Sequence, residues 1–478
     1  MDGMDLFDVI VLGAGPVGEN LVDRARAAGL SAAVVESELA GGECSYWACM
    51  PSKALLRPAA ALDEARQVPG VAGAVTGSLD VSAVLATRDS FAAQWDDSGQ
   101  VDWIDSTGAE FVRGHGRLDG PRRVVVETPE GVRRTLTARH AVAVCTGSAA
   151  ALPDLPGIDG AEPWTNRRGT SAEQVPGRLA VVGGGPVGVE LATAWQSLGS
   201  EVTMLVRDDG LLSRMEPFVG EEVHRALSDA GTEVRLGVSV TEVRRPQPDG
   251  EMTLTLDDGG RLVCDEVLFA TGRRPRTDDI GLETVDLQPG GWLETDDTLR
   301  VGEVSGGWLY AVGDVNHRAL LTHQGKYQAR IAAAAIVARA QGVPLLEDDR
   351  WGAHAATADH DAVPQVVFSH PEAASVGLTA REAEQRGVNA RAVDFDLGSV
   401  AGAAVHADGY RGRARMIVDE DRQVVVGVTF VGPGVAELLH AASIAVAAEV
   451  PIERLWHAVP AFPTMSEIWL RLLETYRG

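Results

Sequence analysis

Two cysteines close together in the chain have the residue type and spacing for redox chemistry. Cys44 and Cys49 are separated by four residues within Gly41–Lys53, which reads Gly-Gly-Glu-Cys-Ser-Tyr-Trp-Ala-Cys-Met-Pro-Ser-Lys. A disulfide that closes so short a loop is readily strained and therefore easily reduced. The residues after the pair are typical of a helix start, whose positive end lowers the pKa of a thiol. The spacing alone fits an inert pair as well as a redox switch.

The residues around the cysteines resemble the redox-active site of the flavoprotein disulfide reductases, which include lipoamide dehydrogenase, glutathione reductase and mercuric reductase. The pattern that carries the resemblance is Gly-Gly-x-Cys-x4-Cys-x-Pro-Ser-Lys. It implies hydride transfer from a nicotinamide dinucleotide to FAD, followed by two-electron reduction of the Cys44–Cys49 disulfide. It also implies that Cys49 faces the flavin, that Cys44 meets the substrate, and that Lys53 pairs with Glu190 beside the flavin ring. A half-exposed helix carboxylate is the alternative interpretation of Glu190.

A dinucleotide-binding fingerprint precedes the cysteines. An apolar run over Asp8–Leu12 is followed by three glycines, a plausible helix through Arg26, and a second strand over Ala32–Val35 that ends in Glu36. The glycines are Gly13, Gly15 and Gly18. Glycines allow the tight turn and the approach of a pyrophosphate to a helix start, and the acid holds ribose hydroxyls. This first fingerprint, residues 13–18, therefore predicts a site for FAD.

A second copy of the fingerprint lies 170 residues further on, at residues 183–188, with its glycines at Gly183, Gly185 and Gly188. At the position of Glu36 this copy has Val206, which is followed by Arg207. An acid there would repel a 2'-phosphate, whereas an arginine accommodates one. The second site therefore suits NADPH better than NADH, with Arg214 as a further candidate contact. Solvated loop charges are the alternative interpretation of Arg207 and Arg214.

Further residues are assigned to cofactor binding. Gly42 belongs to the glycine pair that lets the backbone pass close to a ligand. The resemblance adds the Thr-Gly that closes the first nucleotide-binding segment, the Thr-Gly-Arg-Arg-Pro return to the flavin domain, and the Gly-Asp that meets the ribityl chain. These residues are Thr146, Gly147, Gly272, Gly313 and Asp314. A turn-capping role is the alternative for Asp314. No metal site is predicted.

The order of the motifs predicts an α/β chain with two Rossmann-like nucleotide-binding domains, for FAD and NAD(P), and a C-terminal α+β dimerisation domain. We expect a first FAD-binding segment at 1–165, the NAD(P)-binding domain at 166–274, the second FAD-binding segment at 275–349 and the dimerisation domain at 350–478. Strands are expected at Glu233–Val240, Arg261–Phe269 and His140–Cys145, a hairpin at Val124–Glu127 and Arg133–Ala138, and a polar linker around Glu347–Asp361. The resemblance implies a homodimer.

The C-terminal segment departs from the disulfide reductases that the chain resembles. They carry a histidine directly before Pro-Thr and a glutamate three residues after the threonine, donated across the dimer to the partner's cysteines. Here the glutamate position is Glu467, but the histidine position is Phe462. Phenylalanine cannot transfer a proton, and a positioned acid-base group contributes roughly 10²–10⁴-fold. Either another group serves, with His457 the nearest histidine in sequence, or the acceptor needs no such transfer.

Three functions follow from these features. The first is a disulfide reductase that uses NADPH and FAD and has an unusual acid-base arrangement, which the intact cysteine pair favours. The second is a diaphorase, quinone reductase or soluble transhydrogenase-like flavoenzyme that bypasses the disulfide, which Phe462 favours. The third is a flavoprotein redox sensor without enzymatic activity. In each enzymatic reading the partner is a small electron acceptor that the sequence does not identify.

Composition limits the partners. The chain of 478 residues has 42 basic and 68 acidic residues, a formal net charge of -26. Such a surface repels nucleic acid and anionic membranes. Neither an export signal nor a membrane span is recognised, so we expect a cytoplasmic protein. Cys145 and Cys264 fit buried strand positions. Only Lys53 and Lys326 are lysine, and the other basic residues are arginine, which indicates that Lys53 occupies a position where a compact ammonium group is wanted.

Overall fold

A computed structural model describes residues 5–248, 250–346 and 349–478 of the chain. The contacts divide the chain into two units. The first unit holds the residues up to Met50, Asp89–Ala151 and Gly272–His360, and the second holds Pro51–Arg88, Leu152–Thr271 and Asp361–Gly478. Glu347 and Asp348, at the start of the expected polar linker, lie outside the described residues. The predicted domain borders after residues 165, 274 and 349 stay predictions.

The first unit is built on a seven-stranded sheet, parallel in its centre, with an antiparallel extension. Its strands are Asp5–Leu12, Ala32–Glu36, Glu110–Arg113, His115–Leu118, Arg123–Glu127, Arg133–Val144 and Leu309–Ala311. Along the first strand, Val9 and Val11 pack into one apolar cluster, whereas Ile10 and Leu12 pack into another on the opposite face. Burial on both faces explains the continuous apolar run, which is typical of a central parallel strand.

Helices and a short ribbon complete the first unit. Ser148–Ala150 pairs with Arg273–Pro275 in an antiparallel ribbon. The helical segments are Pro16–Ala27, Gly42–Tyr46, Ala93–Trp95, Ser98–Ser106, Leu282–Val285, Asp314–Asn316 and Thr322–Ala340. Three more helices, Cys49–Gln67, Val81–Phe91 and Ala358–Asp361, contain the residues at which the two units meet along the chain. The helix predicted to continue from Cys49 and Lys53 is confirmed.

The second unit repeats the glycine turn on a smaller sheet. Its four parallel strands are, in spatial order, Glu233–Leu236, Glu201–Val206, Arg178–Val182 and Glu266–Phe269. Val240–Arg244, Met252–Leu256 and Arg261–Cys264 form a separate antiparallel sheet. The helical segments of this part are Ala72–Ala74, Ile158–Ala161, Asn166–Ser171, Pro186–Ser197 and Pro217–Asp229. The second nucleotide-binding domain predicted from the internal repeat is therefore present as a fold.

The C-terminal part of the second unit is a five-stranded antiparallel sheet with helices. Its strands, in spatial order, are Pro364–Val367, Glu372–Gly377, Val424–Gly432, Arg413–Asp419 and Ala390–Asp396. The helical segments are Ala380–Gln385, Leu397–Ser399, Ala401–His406, Val435–Leu438, Leu439–Ala447, Ile452–Leu455 and Glu467–Arg477. The α+β character expected of this region is confirmed. Within the described ranges, no helix is both long enough and apolar enough to cross a membrane.

Three predicted strands differ in their bounds from the strands of the structure. Glu233–Val240 was wrong as one strand because the chain turns at Gly237, where φ is +68°, so that Glu233–Leu236 and Val240–Arg244 join different sheets. Arg261–Phe269 likewise divides at Asp265 between two sheets. His140–Cys145 is not separate from the hairpin, whose second strand runs on from Arg133 to Val144. Cys145 and Cys264 are both buried, as predicted.

The helices Pro16–Ala27 and Thr322–Ala340 are in close contact at Gly325. A Cβ atom at this position would lie 2.6 Å from Val17 Cγ2 and 3.3 Å from Gly313 Cα. Gly325→Ala is expected to lower the free energy of unfolding by about 1–3 kcal/mol, because overpacking outweighs the gain in helix propensity. Chemical denaturation of the purified protein measures this change.

Gly99→Ala is the matched control, because Gly99 also lies in a helix but a Cβ atom there would meet nothing within 4 Å. We expect the control to leave stability unchanged or to raise it by up to about 1 kcal/mol. Equal effects of the two substitutions would contradict the close approach of the helices.

Candidate active site

The first fingerprint forms a glycine turn that opens a helix start. Gly13 has φ of +100°, and a Cβ atom on it would lie 2.5 Å from the carbonyl oxygen of Cys145. A Cβ atom on Gly18 would lie 2.0 Å from the carbonyl oxygen of Gly13. Gly15 is the N-cap of the helix and has no side chain to occupy the first backbone N–H groups. These groups are therefore available to a pyrophosphate, as the sequence predicts.

Glu36 is tied to the same turn. One carboxylate oxygen accepts the backbone N–H of Ala14 at 2.8 Å, and the other accepts that of Glu38 at 2.7 Å. Burial raises the pKa of Glu36, whereas the two backbone hydrogen bonds lower it. The structure thus holds this acid beside the glycine turn, where a ribose of a bound dinucleotide would lie.

Gly42 and the Thr146-Gly147 segment complete the surroundings of the first fingerprint. A Cβ atom on Gly42, where φ is +58°, would lie 2.9 Å from Gly15 Cα. The hydroxyl oxygen of Thr146 is buried and finds no hydrogen-bond partner in the part of the chain that the structure describes, and Gly147 has φ of +70°. An open helix start, a ribose-reaching acid and an unsatisfied hydroxyl group fit FAD at this position.

Asp314 is fixed by neighbours on three segments of the first unit. Its carboxylate accepts a hydrogen bond from the Ser148 hydroxyl group and lies 3.7 Å from the guanidinium group of Arg273. Burial raises its pKa, which these contacts oppose. The preceding Gly313 donates its N–H to the Gln328 side chain at 2.8 Å. The predicted strand-end aspartate is therefore held by side-chain contacts as well as by its turn.

The structure brings Cys44 and Cys49 into contact. Cys44 lies in the short helix Gly42–Tyr46, and Cys49 begins the helix Cys49–Gln67. A hydrogen bond with Cys49 and burial raise the pKa of the Cys44 thiol, so the neutral thiol form of Cys44 is favoured. The hydroxyl group of Thr322 lies 3.3 Å from the Cys49 sulfur and also bonds Cys44. This hydroxyl group is placed to donate to a negatively charged Cys49 sulfur.

Lys53 and Glu190 form an ion pair within the second unit. The Lys53 Nζ atom lies 2.8 Å from Glu190 Oε2, and Glu190 is only 7 % exposed. The other carboxylate oxygen accepts the backbone N–H of Phe368 at 2.9 Å. Lys53 Nζ also lies 4.8 Å from the centre of the Phe368 ring. The pairing implied by the resemblance is present, and the alternative of a half-exposed Glu190 is wrong.

The second fingerprint has the same turn geometry as the first. Gly183 has φ of +118°, and a Cβ atom on it would lie 2.4 Å from the carbonyl oxygen of Ala270. A Cβ atom on Gly188 would lie 2.2 Å from the carbonyl oxygen of Gly183. Gly185 is the N-cap of Pro186–Ser197 and has no capping side chain. The repeat therefore provides a second helix start that fits a pyrophosphate.

The end of the neighbouring strand differs between the two copies. Glu201–Val206 ends in a buried valine, and the Arg207 side chain that follows is 84 % exposed, with its Nε atom 3.6 Å from Asp208. Arg214 is also exposed. Both arginines lie on the surface after the strand, so a bound ligand could reach them. Gly272 has φ of +142°, and its carbonyl group accepts the N–H of Ala151 at 3.0 Å.

The candidate residues of the C-terminal segment differ in their exposure to solvent. Phe462 is 76 % exposed, which is unusual for a phenylalanine side chain. Glu467 is 5 % exposed and begins the helix Glu467–Arg477, where its Oε1 atom pairs with Arg471 at 2.6 Å. Its other oxygen accepts the N–H of Ala401 at 3.3 Å. His457 is exposed on the turn after Ile452–Leu455.

Sequence reasoning missed several residues that contact the predicted ones. They are Thr322, Ser148, Arg273, Gln328 and Phe368. Each lies far along the chain from the residue that it contacts, so local spacing gives no signal for it. Two were adjacent to recognised motifs: Ser148 follows the Thr-Gly segment, and Arg273 follows Gly272.

Comparisons with known proteins cover nearly the whole chain. Residues 7–342 match the family model described as pyridine nucleotide-disulphide oxidoreductase, and residues 363–472 match that family's dimerisation domain. The dihydrolipoyl dehydrogenase of Thermus scotoductus is 31% identical, with 97% of this chain and 96% of that protein covered. The mercuric reductase of Staphylococcus aureus is 26% identical over 96% of this chain and 81% of that protein. The HOCl-induced flavoprotein disulfide reductase RclA of Escherichia coli has a similar fold, with a TM-score of 0.81 at 21% identity over 98% of this chain and 99% of that one.

Removal of one partner of the Lys53–Glu190 ion pair tests how much the pair contributes to the free energy of unfolding. Glu190→Gln keeps the shape of the side chain but leaves the Lys53 charge unpaired, and Lys53→Met leaves the buried carboxylate unpaired. We expect each to lower the free energy of unfolding by about 1–3 kcal/mol, with the loss from Lys53→Met the larger because Glu190 is the more buried partner. Denaturant unfolding of both single variants and of the double variant measures the coupling.

The double variant, with both Glu190→Gln and Lys53→Met, completes a double-mutant cycle and is its control. If the pair interacts, the double variant loses less stability than the sum of the two single losses. Strict additivity of the two losses would contradict the interaction.

Proposed function

The chain belongs to the pyridine nucleotide-disulphide oxidoreductase family, and we propose that it passes electrons from NADPH through FAD to the Cys44–Cys49 disulfide and on to a disulfide or related small acceptor. Members of this family are oxidoreductases that use FAD and a nicotinamide dinucleotide, and the match to the dimerisation domain supports a homodimer.

The contact between Cys44 and Cys49 carries the proposal. Two sulfur atoms in contact can exchange a disulfide bond for a thiol and a thiolate by a two-electron reduction. The hydrogen bond to Cys49 and burial raise the pKa of Cys44, which supports a role in which Cys44 would hold the proton and Cys49 would carry the charge. When bound, FAD supplies the two-electron carrier between the nicotinamide and this disulfide.

The proposed roles of the remaining residues follow their surroundings. Cys49 would face the flavin and Cys44 would meet the acceptor. The Lys53–Glu190 ion pair would set the local electrostatic potential, since the ammonium group is compact and its partner is buried. Gly13, Gly18 and Glu36 would hold FAD, and Gly183, Gly188 and Arg207 would hold NADPH. Glu467 would line the acceptor pocket through the partner subunit.

A second candidate function is reduction of a quinone, a dye or a second nicotinamide without use of the disulfide. The exposed ring of Phe462 favours it, because this side chain can stack on a planar acceptor but cannot move a proton. The ion pair with Arg471 also occupies one oxygen of Glu467, the acid that the disulfide mechanism would place in the pocket.

The substitution Cys44→Ser separates the two candidates. Serine keeps the size of the side chain but cannot form the disulfide. We expect turnover of small disulfides with NADPH to fall by at least about 10³-fold, since the acceptor-facing sulfur is lost. Steady-state assays with disulfides and with quinones measure both activities in the same preparation.

Cys264→Ser is the matched control, because Cys264 is buried far from the cysteine pair in sequence and has no proposed role. It should keep both activities. If wild-type protein reduces no disulfide, and if quinone reduction persists unchanged in Cys44→Ser, the second candidate replaces the first.

The substitution Arg207→Leu tests the proposed preference for NADPH. Because the side chain is exposed, its removal should change dinucleotide binding without loss of packing. Loss of a charge-assisted hydrogen bond to a 2'-phosphate is expected to lower kcat/KM for NADPH by about 10–100-fold and to leave that for NADH within a few-fold.

The control for dinucleotide preference is Arg261→Leu, which removes an exposed arginine from the antiparallel sheet of the same unit. Equal losses with NADPH and NADH in Arg207→Leu, or higher kcat/KM with NADH in the wild type, would contradict the assignment.

A further inference from the structure

Lys326 has no role in the proposed function, although it is one of the two lysines of the chain. The other, Lys53, is accounted for by its ion pair with Glu190. Lys326 is half-buried in the second turn of the helix Thr322–Ala340. The other positions of the chain that carry Lys or Arg all carry arginine.

The packing of two helices brings the segments of Lys326 and Glu19 together. Gly325, on Thr322–Ala340, lies against Val17, on Pro16–Ala27. Lys326 directly follows Gly325, and Glu19 lies two residues after Val17 on the facing helix. The Glu19 Oε1 atom is buried and has no hydrogen-bond partner among the described residues.

The charges of Lys326 and Glu36 both act on the pKa of Glu19. Burial raises the pKa of Glu19 to about 7, Lys326 opposes this rise, and Glu36 adds to it. The carboxyl group therefore changes its charge near neutral pH, and it does so next to the ammonium group.

Lys326 also acts on the cysteine pair. Thr322, four residues before it on the same helix, lies with its hydroxyl group 3.3 Å from the Cys49 sulfur. Residues four apart on a helix share a face, so the hydroxyl group and the ammonium group point to the same side. The positive charge of Lys326 accordingly lowers the pKa of Cys44, in opposition to the hydrogen bond with Cys49 and to burial.

We propose that Lys326 is a positioning residue for the redox pair: its ammonium group stabilises the negative charge left on the reduced Cys44–Cys49 pair, and Glu19 sets how much of that positive charge the sulfurs experience. The inference deepens the proposed function and rests on it for its role in turnover. The electrostatic contact itself needs only the reduced cysteines.

The disulfide bond takes up the two electrons of the hydride that the nicotinamide supplies, and the sulfur–sulfur bond breaks. The proton of that hydride goes to Cys44, so the products are the Cys44 thiol and the Cys49 thiolate. A fixed positive charge favours these products and needs no proton transfer of its own.

Other charged or titratable groups surround these residues. Burial raises the pKa of Tyr46, and the charge of Glu19 also raises it. Glu36 lies at the end of the neighbouring strand and accepts two backbone N–H groups. Glu43, next to Cys44 in sequence, pairs with Arg276 at 3.2 Å and lies 4.0 Å from Arg273. Glu43 thus has arginine partners of its own, and the charge of Lys326 acts on the Cys44 thiol.

The experiment measures thiol reactivity without turnover. The FAD-loaded protein is reduced with a phosphine, and iodoacetamide labelling of Cys44 and Cys49 is followed by peptide mass spectrometry between pH 5 and 10. In Lys326→Gln the midpoint of the pH dependence of labelling, taken for the more reactive cysteine, should rise by about one pH unit. Below that midpoint, labelling should therefore be about tenfold slower than in the wild type. Lys326→Arg should bring the midpoint most of the way back to the wild-type value. Glu19→Gln should move the midpoint down.

Arg330→Gln is the matched control, because Arg330 is an exposed cation on the same helix and its loss changes the net charge equally. It should leave the midpoint within about 0.2 pH unit, since exposed charges are screened by salt. A Lys326→Gln curve that overlays the wild type, or an equal shift in Arg330→Gln, would overturn the inference. If Lys326→Gln loses its flavin, an unshifted midpoint in Glu19→Gln overturns it instead. The labelling experiment needs no turnover, so its expected result does not depend on whether the protein reduces disulfides. A failure of the proposed function and a failure of this inference can therefore be told apart.

Discussion

A sulfur that gains negative charge in a partly buried place must be stabilised by nearby dipoles or by positive charge, because burial alone disfavours the thiolate. The site is arranged around this requirement. Cys44 is hydrogen-bonded to Cys49, the Thr322 hydroxyl group reaches the sulfurs, and the helix that carries Thr322 also carries Lys326. That helix can approach the first fingerprint only because Gly325 has no side chain to meet Val17. A packing constraint between two helices thereby sets an electrostatic property of the cysteines.

The two glycine turns share one local geometry. A Cβ atom on Gly13 or on Gly183 would lie at nearly the same distance from a carbonyl oxygen, so the turn is common to both copies. The copies differ at the end of the next strand, where Glu36 is held by two backbone N–H groups and Arg207 is exposed. The fixed acid suits ribose hydroxyls, and the exposed cation supports a phosphate in the proposed NADPH site.

Local signals predicted the parts of the structure that depend on neighbouring residues. The glycine turns, the strand that ends in Glu36, the helix after Cys49 and the hairpin at Arg123–Glu127 all follow from residue types within one short segment. The break at Gly237 was missed because strand propensity continues across it, and only the choice between two sheets decides it. Thr322, Phe368 and Gln328 were missed for a related reason, since each reaches the site by long-range packing. The resemblance supplied the Lys53–Glu190 pair, which spacing alone would not have given.

The central claim is that electrons pass through the cysteine pair, and an anaerobic titration of the FAD-loaded protein with NADPH tests it most directly. Followed by the visible spectrum, the first two electrons should produce a long-wavelength charge-transfer band between the Cys49 thiolate and the oxidised flavin. Bleaching of the flavin without that band would contradict the account, because the electrons would then remain on the flavin and bypass the disulfide.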